Sequence, residues 1–169
     1  MGGFLFALSL QSLNSLQSYV TKLYKLAGIK GGSSHSGRRS FGTKIHAKVD
    51  AIGMPLQIIL TRGEQHESQQ AIPLIADEDC NYLIAGRAYD DGDFRQFLLT
   101  QGTIPVIPSK KNRLIHLPHD KHIYKERKFV ERFFNRIKQF RRIATRYDKL
   151  AITFMGAVLI ACIFIWLKA

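Results

Sequence analysis

A predicted strand hairpin in the middle of the chain is the feature that most restricts its fold. Residues 43–49 alternate apolar and polar side chains, which is the period-two pattern of a strand with one buried face. Residues 56–60 form a second short apolar run, and turn residues that include Gly53 and Pro55 separate the two runs. The sequence therefore predicts an antiparallel hairpin, and the class of fold depends on the elements that come after it in the chain.

Alternating helices and strands are expected after the hairpin. A short helix is predicted over residues 68–75, and a strand, a helix and a second strand over residues 82–85, 91–101 and 103–107. This run of strand, helix and strand implies a parallel pair with a crossover helix. Two long helices are expected near the C-terminus. The hairpin, the α/β half and the flanking helices together are most of a ribonuclease H-like layout with a mixed sheet.

The N-terminal region is harder to place in such a layout. A ribonuclease H-like sheet begins with three antiparallel strands, so its first strand must come from residues 1–27, although their apolar residues have a loose helical spacing. Residues 28–39 are rich in Gly, Ser and basic residues and are expected to form a loop. The chain start has no basic residue before its apolar run and no small-residue cleavage motif, which is not the pattern of a signal peptide.

The positive charge of the chain is concentrated in one region. The formal net charge is +12, and residues 109–149 contain 14 Lys or Arg against four acids. A patch of this kind suits a polyanion such as DNA, RNA or an acidic membrane surface, because each neutralised phosphate releases a counterion. The alternative is a solubilising charged face.

The two cysteines, Cys80 and Cys162, form no CxxC pair. The sequence therefore predicts neither a zinc site nor a disulfide framework and indicates a reducing cytoplasm.

One helix within this basic region carries a stripe of polar side chains. Over residues 122–146, apolar residues recur at helical spacing and define one buried face. A wedge of roughly 60° beside that face holds Tyr124, Arg127, Glu131 and Lys138. The carboxylate can ligate a divalent ion while the two cations contact phosphates. The alternative is a solvated helix face with an i,i+4 salt bridge from Arg127 to Glu131.

This stripe resembles the Y-x2-R-x3-E-x6-K signature around the third catalytic acid of the DDE transposases of bacterial insertion sequences. Similar blocks extend over residues 28–168, among them GTKIHAKVDAIGMPLQIILTRGEQHES, YLIAGRAYD and IPVIPSKKNR. The resemblance implies a ribonuclease H-like domain in which three carboxylates hold two Mg²⁺ or Mn²⁺ ions, one activating water or a 3′-hydroxyl and the other stabilising the leaving oxygen. It also implies an enzyme that cuts transposon ends and joins them to target DNA in the bacterial cytoplasm.

Two of the three expected acids are missing from the chain. The family's second acid lies in a motif like A-D-K-x-Y-D, and this sequence has Gly86 in the acid's place. Asp90 and Asp91 are the nearest replacements as a metal ligand, although capping the following helix is the alternative role of both. The first acid has no counterpart, because residues 1–49 contain no Asp or Glu.

These departures predict an inactive remnant of a transposase. The chain divides into a diverged N-terminal segment, residues 1–27, and a partial catalytic domain, residues 28–169. Glu131 is then the main candidate catalytic and metal-binding residue, and Asp90 is the second. The remnant is expected to bind DNA, as a homo-oligomer or with a transposase subunit that supplies the missing acids. The expected phosphate contacts are Tyr124, Arg127, Lys138, Arg141, Arg142, Arg146, Lys110 and Lys111.

Two other functions are compatible with the same sequence. Residues 150–167 are 18 residues without a charge after a basic segment, as in a tail-anchored membrane protein. In the transposase interpretation they form a buried C-terminal helix, and no membrane is involved. The second alternative is a DNA-binding module without any chemistry, because phosphate contacts alone give non-specific, salt-sensitive binding.

Overall fold

Five strands form one mixed sheet in the computed structural model, which describes residues 23–30, 42–76, 80–145, 148 and 150–168. The strands are β1 (Leu23–Lys30), β2 (Thr43–Val49), β3 (Pro55–Arg62), β4 (Tyr82–Ala85) and β5 (Ile104–Val106). Their spatial order is β3, β2, β1, β4, β5. The first three are antiparallel neighbours, whereas β4 runs parallel to β1 and β5 runs parallel to β4. This is a ribonuclease H-like sheet, as the sequence predicts.

Five α-helices accompany the sheet within the described residues. They are α1 (Gly92–Thr100), α2 (Lys121–Tyr124), α3 (Lys128–Lys138), α4 (Arg141–Thr145) and α5 (Ala151–Leu167). Three short 3-10 turns lie at Glu67–Gln70, Arg87–Tyr89 and Lys125–Arg127. Because α1 connects the parallel strands β4 and β5, the predicted crossover unit is confirmed.

The hairpin of β2 and β3 forms as predicted, but β2 is buried on both faces and not on one. Asp50 organises the turn. The Asp50 Oδ1 accepts hydrogen bonds from the N–H of Ile52 at 3.0 Å and of Met54 at 2.8 Å. Gly53 has a φ of 93°, a left-handed conformation that other residues adopt only with strain. A Cβ at Gly53 would also lie 3.0 Å from the carbonyl oxygen of Phe129. Gly53 therefore sets both the turn and the close approach of α3.

The predictions for the N-terminal region are wrong over residues 23–30. Helical spacing and then a loop are expected there from the sequence, but these residues form β1. β1 is hydrogen-bonded to β2 on one side and to β4 on the other, so pairing with distant strands overrides the local apolar spacing. The expectation that the first strand draws on residues 1–27 is confirmed. The rest of those two segments, residues 1–22 and 31–39, lies outside the described residues.

Two helix predictions are also corrected. Residues 68–75 hold only the end of a 3-10 turn, Glu67–Gln70, followed by turns. Pro73 accounts for this, because its ring removes a backbone donor and disfavours helical backbone at the preceding residue. The single helix predicted over residues 122–146 is divided into α2, a 3-10 turn, α3 and α4.

The sheet separates two apolar cores. One face packs against α3, α4 and α5, and the other packs against α1 and the segment after β3. The buried side of α5 consists of Phe154, Val158, Ala161, Cys162 and Ile165. Its C-terminal end is fixed to the start of β3, because Trp166 Nε1 donates to the carbonyl oxygen of Pro55 at 2.9 Å. None of the helices that the structure describes is long and apolar enough to cross a membrane.

Candidate functional site

Glu131 lies in the first turn of α3, beside the helix face that packs on the sheet. The residues that anchor this face are Val130, Phe133, Phe134 and Ile137. The Glu131 side chain is 55% exposed, and its Oε1 lies 2.8 Å from Arg127 Nη1. The i,i+4 salt bridge that the sequence offers as an alternative to metal binding is therefore formed.

Gly86 directly follows β4 and lies against the guanidinium of Arg127. A Cβ built at Gly86 would meet Arg127 Nε and Nη2 at 3.7 Å each. The Nε is buried and has no hydrogen-bond partner among the described residues. Arg127 therefore connects the position of the expected second acid with Glu131 and places a positive charge between them.

β1 contributes a lysine beside β4. Lys25 pairs in register with Ile84, and its side chain is buried. Its Nζ donates to the carbonyl oxygens of Asp50 at 3.4 Å and Ala51 at 2.6 Å. Burial lowers the pKa of Lys25 to about 8, because desolvation outweighs the nearby carboxylates. The first described strand of the sheet thus supplies a cation.

Asp90 is the centre of a buried ion-pair network. Its side chain is 0% exposed, and its Oδ1 lies 2.8 Å from Arg95 Nε and 2.7 Å from Arg113 Nη1. Its Oδ2 accepts the backbone N–H of Lys110 at 2.7 Å. Burial acts to raise the pKa of Asp90, but the N–H donor and the two cations outweigh it and the net pKa is lowered. Asp91 takes the capping role, since its carboxylate accepts two N–H groups in the first turn of α1.

The described residues do not fit a pair of divalent metal ions. Such a site needs several converging carboxylates. In the part of the chain that the structure describes, no three His, Cys, Asp or Glu side chains come together in this way. Gly86 offers no side-chain ligand, Asp90 is engaged by cations, and Glu131 is paired with Arg127.

Two of the predicted phosphate contacts, Lys110 and Lys111, lie in the segment that follows β5. Lys111 is exposed and Lys110 is half-buried. The segment is anchored at Lys110 by the backbone bond to Asp90, and the Ser109 hydroxyl accepts the N–H of Leu117 at 2.9 Å. The buried network around Asp90 thus positions this basic segment.

The other predicted contacts, except Arg146, lie in the segment from α2 to α4. Three exposed cations flank the break between α3 and α4, namely Lys138, Arg141 and Arg142. Arg142 Nη2 pairs with Asp148 Oδ1 at 2.7 Å, which offsets part of its charge. Tyr124 is half-buried at the end of α2. Arg146 lies outside the described residues.

Two buried polar side chains, His46 and Tyr89, have no role predicted from the sequence. His46 Nε2 lies 2.8 Å from Thr61 Oγ1, while its Nδ1 and the hydroxyl of Tyr89 have no hydrogen-bond partner within the described chain. Burial, and then the charge of Lys44, lower the pKa of His46 to about 4, so the ring is neutral at pH 7. The sequence gives no signal for this burial, because the alternation of β2 places His46 on the face opposite to Ile45, which is expected to be exposed.

A ribonuclease H-like sheet that carries the stripe of Tyr124, Arg127, Glu131 and Lys138 on its flanking helices defines a protein of the transposase class. Residues 21–166 match the family model described as "Transposase DDE domain". The chain belongs to this family. Since the match begins at residue 21, the likeness extends further toward the N-terminus than the sequence blocks indicate.

Curated relatives are similar over most of the chain. A putative transposase for insertion sequence element IS6501 from Brucella ovis (strain ATCC 25840 / 63/290 / NCTC 10512) is 40% identical over 132 residues, which cover 75% of this chain and 98% of that protein. A putative transposase for insertion sequence element IS402 from Burkholderia cepacia is 27% identical over 151 residues, covering 82% and 69%. Among solved structures, the catalytic core domain of BIV integrase aligns with a TM-score of 0.49 and 16% identity, covering 83% of this chain and 80% of that one.

Proposed function

We propose that this chain is a transposase catalytic domain that binds DNA without cutting it. The observation that carries the proposal is the lack of converging carboxylates, because Gly86 stands at the second acid's position and no three His, Cys, Asp or Glu side chains come together among the described residues. The family resemblance places metal-binding acids at positions 86 and 131. Glu131 is the one acid left at these two positions and is paired with Arg127, so the site lacks the negative charge that a pair of divalent ions needs.

Cleavage in this family relies on metal ions that activate the nucleophile and stabilise the leaving oxygen. The described residues contain no substitute for those two roles. Glu131 by itself would repel a DNA phosphate, and Arg127 cancels that repulsion. Mg²⁺ or Mn²⁺ would be held here only if a complementing transposase subunit supplied acids to the site. The geometry therefore supports approach of the DNA backbone and does not support its hydrolysis.

Binding is expected to depend on the cations around this position. Each of these cations would neutralise a phosphate and release a counterion. They are Lys110 and Lys111 after β5, and Lys138, Arg141 and Arg142 near the break between α3 and α4. Contacts of this kind carry no base sequence information, so the binding is non-specific and sensitive to salt. The proposed setting is the bacterial cytoplasm, with DNA as the partner and a homo-oligomer as the binding form.

Supercoiled plasmid incubated with the protein at low salt, with Mg²⁺ or Mn²⁺, tests both parts of the proposal. The wild-type protein and Glu131→Ala are both expected to retard the plasmid and to leave nicking at the level of a protein-free control. Nicking by the wild type that Glu131→Ala abolishes would show a working metal site and refute the proposal. Absence of any DNA binding would refute it as well.

A charge-reversal pair identifies the binding surface. Lys111→Glu is expected to weaken binding and to lower the slope of log K against log salt by about 1, because one phosphate contact is lost. Lys168→Glu, an equal charge change at the exposed end of α5, serves as the control and is expected to change binding less. Equal effects of the two variants would show that only net charge matters and that the basic segment is not a contact surface.

A further inference from the structure

Two adjacent apolar side chains are exposed at the tip of the basic segment that follows β5. Leu114 is 100% exposed and Ile115 is 75% exposed, and no large apolar side chain among the described residues is more exposed than Leu114. Single exposed apolar residues are common on protein surfaces. Here a pair of them lies within residues 109–119, which contain three Lys or Arg and two His but no Asp or Glu. The tip therefore combines an apolar surface with basic surroundings.

The base of this segment is fixed, so the tip is held in one position. The Ser109 hydroxyl accepts the N–H of Leu117 at 2.9 Å and donates to the Leu117 carbonyl oxygen at 3.3 Å, which joins the two ends of the loop. The buried carboxylate of Asp90 accepts the N–H of Lys110 and pairs with Arg113 Nη1, each at 2.7 Å. These contacts end directly before the apolar pair. A tip placed in advance loses little conformational freedom when it contacts a partner.

We propose that Leu114 and Ile115 form an apolar wedge that contacts the bases of DNA at an opened base step. This inference rests on the proposed function, because the cations of the segment bring the tip to the DNA backbone. Phosphates match those cations but offer nothing to an aliphatic side chain. Base faces are apolar, and Leu and Ile are among the side chains that DNA-binding proteins insert between base steps. The wedge gives the apolar pair a role that phosphate contacts leave unexplained.

The charge and size of the tip favour DNA over two other partners. A second copy of the chain carries the same net charge of +12, so its approach to a basic segment is opposed by repulsion. A lipid surface brings phosphates as DNA does. Two aliphatic side chains, however, bury less apolar surface than the single acyl chain that by itself binds a bilayer only weakly.

A short duplex that contains 2-aminopurine tests the wedge, because the fluorescence of this base rises when it is unstacked. The wild-type protein is expected to raise the fluorescence on binding. The double variant Leu114→Ser/Ile115→Ser is expected to bind about tenfold more weakly and, when it saturates the duplex, to leave the fluorescence near the value of free DNA. The slope of log K against log salt should stay the same, because the variant loses no phosphate contact.

A duplex with one mismatch supplies a second readout, since opening a mismatched step costs less than opening a paired one. The wild type is expected to bind the mismatched duplex several-fold more tightly than the matched one, and the double variant to bind both equally. Leu99→Ser is the control. It removes an exposed apolar side chain from α1 close to the start of β5, whereas the basic segment follows the end of that strand. It is expected to behave as the wild type does.

The outcomes separate the wedge from the proposed function. A duplex that is retarded without a rise in fluorescence, or with the same rise in the double variant, overturns the wedge and leaves DNA binding intact. Equal losses in Leu99→Ser and the double variant also overturn it. Absence of DNA binding refutes both proposals. Nicking together with the expected rise refutes only the non-cleaving part of the proposed function.

Two further measurements identify the partner if DNA is the wrong one. Sedimentation with vesicles of phosphatidylserine and phosphatidylcholine is expected to be the same for the wild type and the double variant, and so is the elution volume in size-exclusion chromatography. If the double variant loses vesicle binding or self-association while its DNA binding and the fluorescence rise are those of the wild type, the tip contacts lipid or a second copy and the wedge is overturned.

Discussion

Replacing Asp90 by alanine is expected to destabilise the fold more than the same change at the other two candidate acids, Glu131 and Asp91. The substitution leaves Arg95, which is 7% exposed, and Arg113, which is 29% exposed, without their shared carboxylate. Breaking a buried ion pair by removing one partner costs about 3–5 kcal/mol. Because solvent screens part of the Arg113 charge, we expect a loss near the lower end, about 3 kcal/mol. For a domain of this size that corresponds to a fall in Tm of about 6–12 °C.

Urea unfolding at pH 7 measures this loss, with Asp91→Ala as the control. Asp91 is the neighbouring acid and only caps α1, so its removal should cost about 1 kcal/mol. The pKa of Asp90 is lowered in the folded state, so its contribution is present above the unfolded-state pKa of about 3.9 and is lost as the pH falls through the lower folded-state pKa. An Asp90→Ala variant no less stable than Asp91→Ala at pH 7 would refute this account of the network.

Two further predictions concern stability. His46 has a pKa of about 4 when folded and about 6.5 when unfolded, so the unfolded state gains the proton first, and stability should fall by up to about 3 kcal/mol as the pH drops between those values. The stability of His46→Gln, measured over the same pH range, should lack this fall. An unchanged dependence of stability on pH in that variant would contradict the assignment. Trp166→Phe removes the hydrogen bond to the Pro55 carbonyl and should lower the free energy of unfolding by about 1 kcal/mol. Unfolding is followed by circular dichroism, because the variant has lost the single Trp of the chain as a fluorescent reporter. No loss of stability would mean that the bond does not hold α5.

The parts of the fold that the sequence predicts are those with local signals. The hairpin and the crossover unit are predictable from alternation and turn residues that lie within a few positions of each other. β1 has no such signal, because its neighbours in the sheet are β2 and β4, and β4 lies more than 50 positions away in the chain. The role of Asp90 could not be predicted for the same reason, because its partner Arg113 lies 23 residues further along the chain. Asp91, whose partners are its immediate neighbours, is assigned correctly as a cap.

The sequence predicts the part of the site that lies on one helical segment. It does not predict the part that forms where two elements pack against each other. Tyr124, Arg127, Glu131 and Lys138 are related by spacing alone, so both the stripe and its salt bridge can be deduced from the sequence. That Arg127 also covers Gly86 depends on how the segment before α3 packs beside the end of β4. No local pattern contains that contact, so the sequence shows that an acid is absent without showing what stands in its place.

The acids that are present and those that are missing differ in their effect on the stability of the fold when no metal is bound. Converging carboxylates repel one another, and each raises the pKa of its neighbours, so an empty metal site opposes folding. Glycine at position 86 removes one such charge, and Arg127 neutralises Glu131, so the remaining arrangement is stable with no ion bound. Asp90 is surrounded by cations and supports the fold by itself. In the proposed non-cleaving domain, the acid at position 86 can be absent without cost to stability, whereas loss of Asp90 would weaken the sheet and the basic segment together.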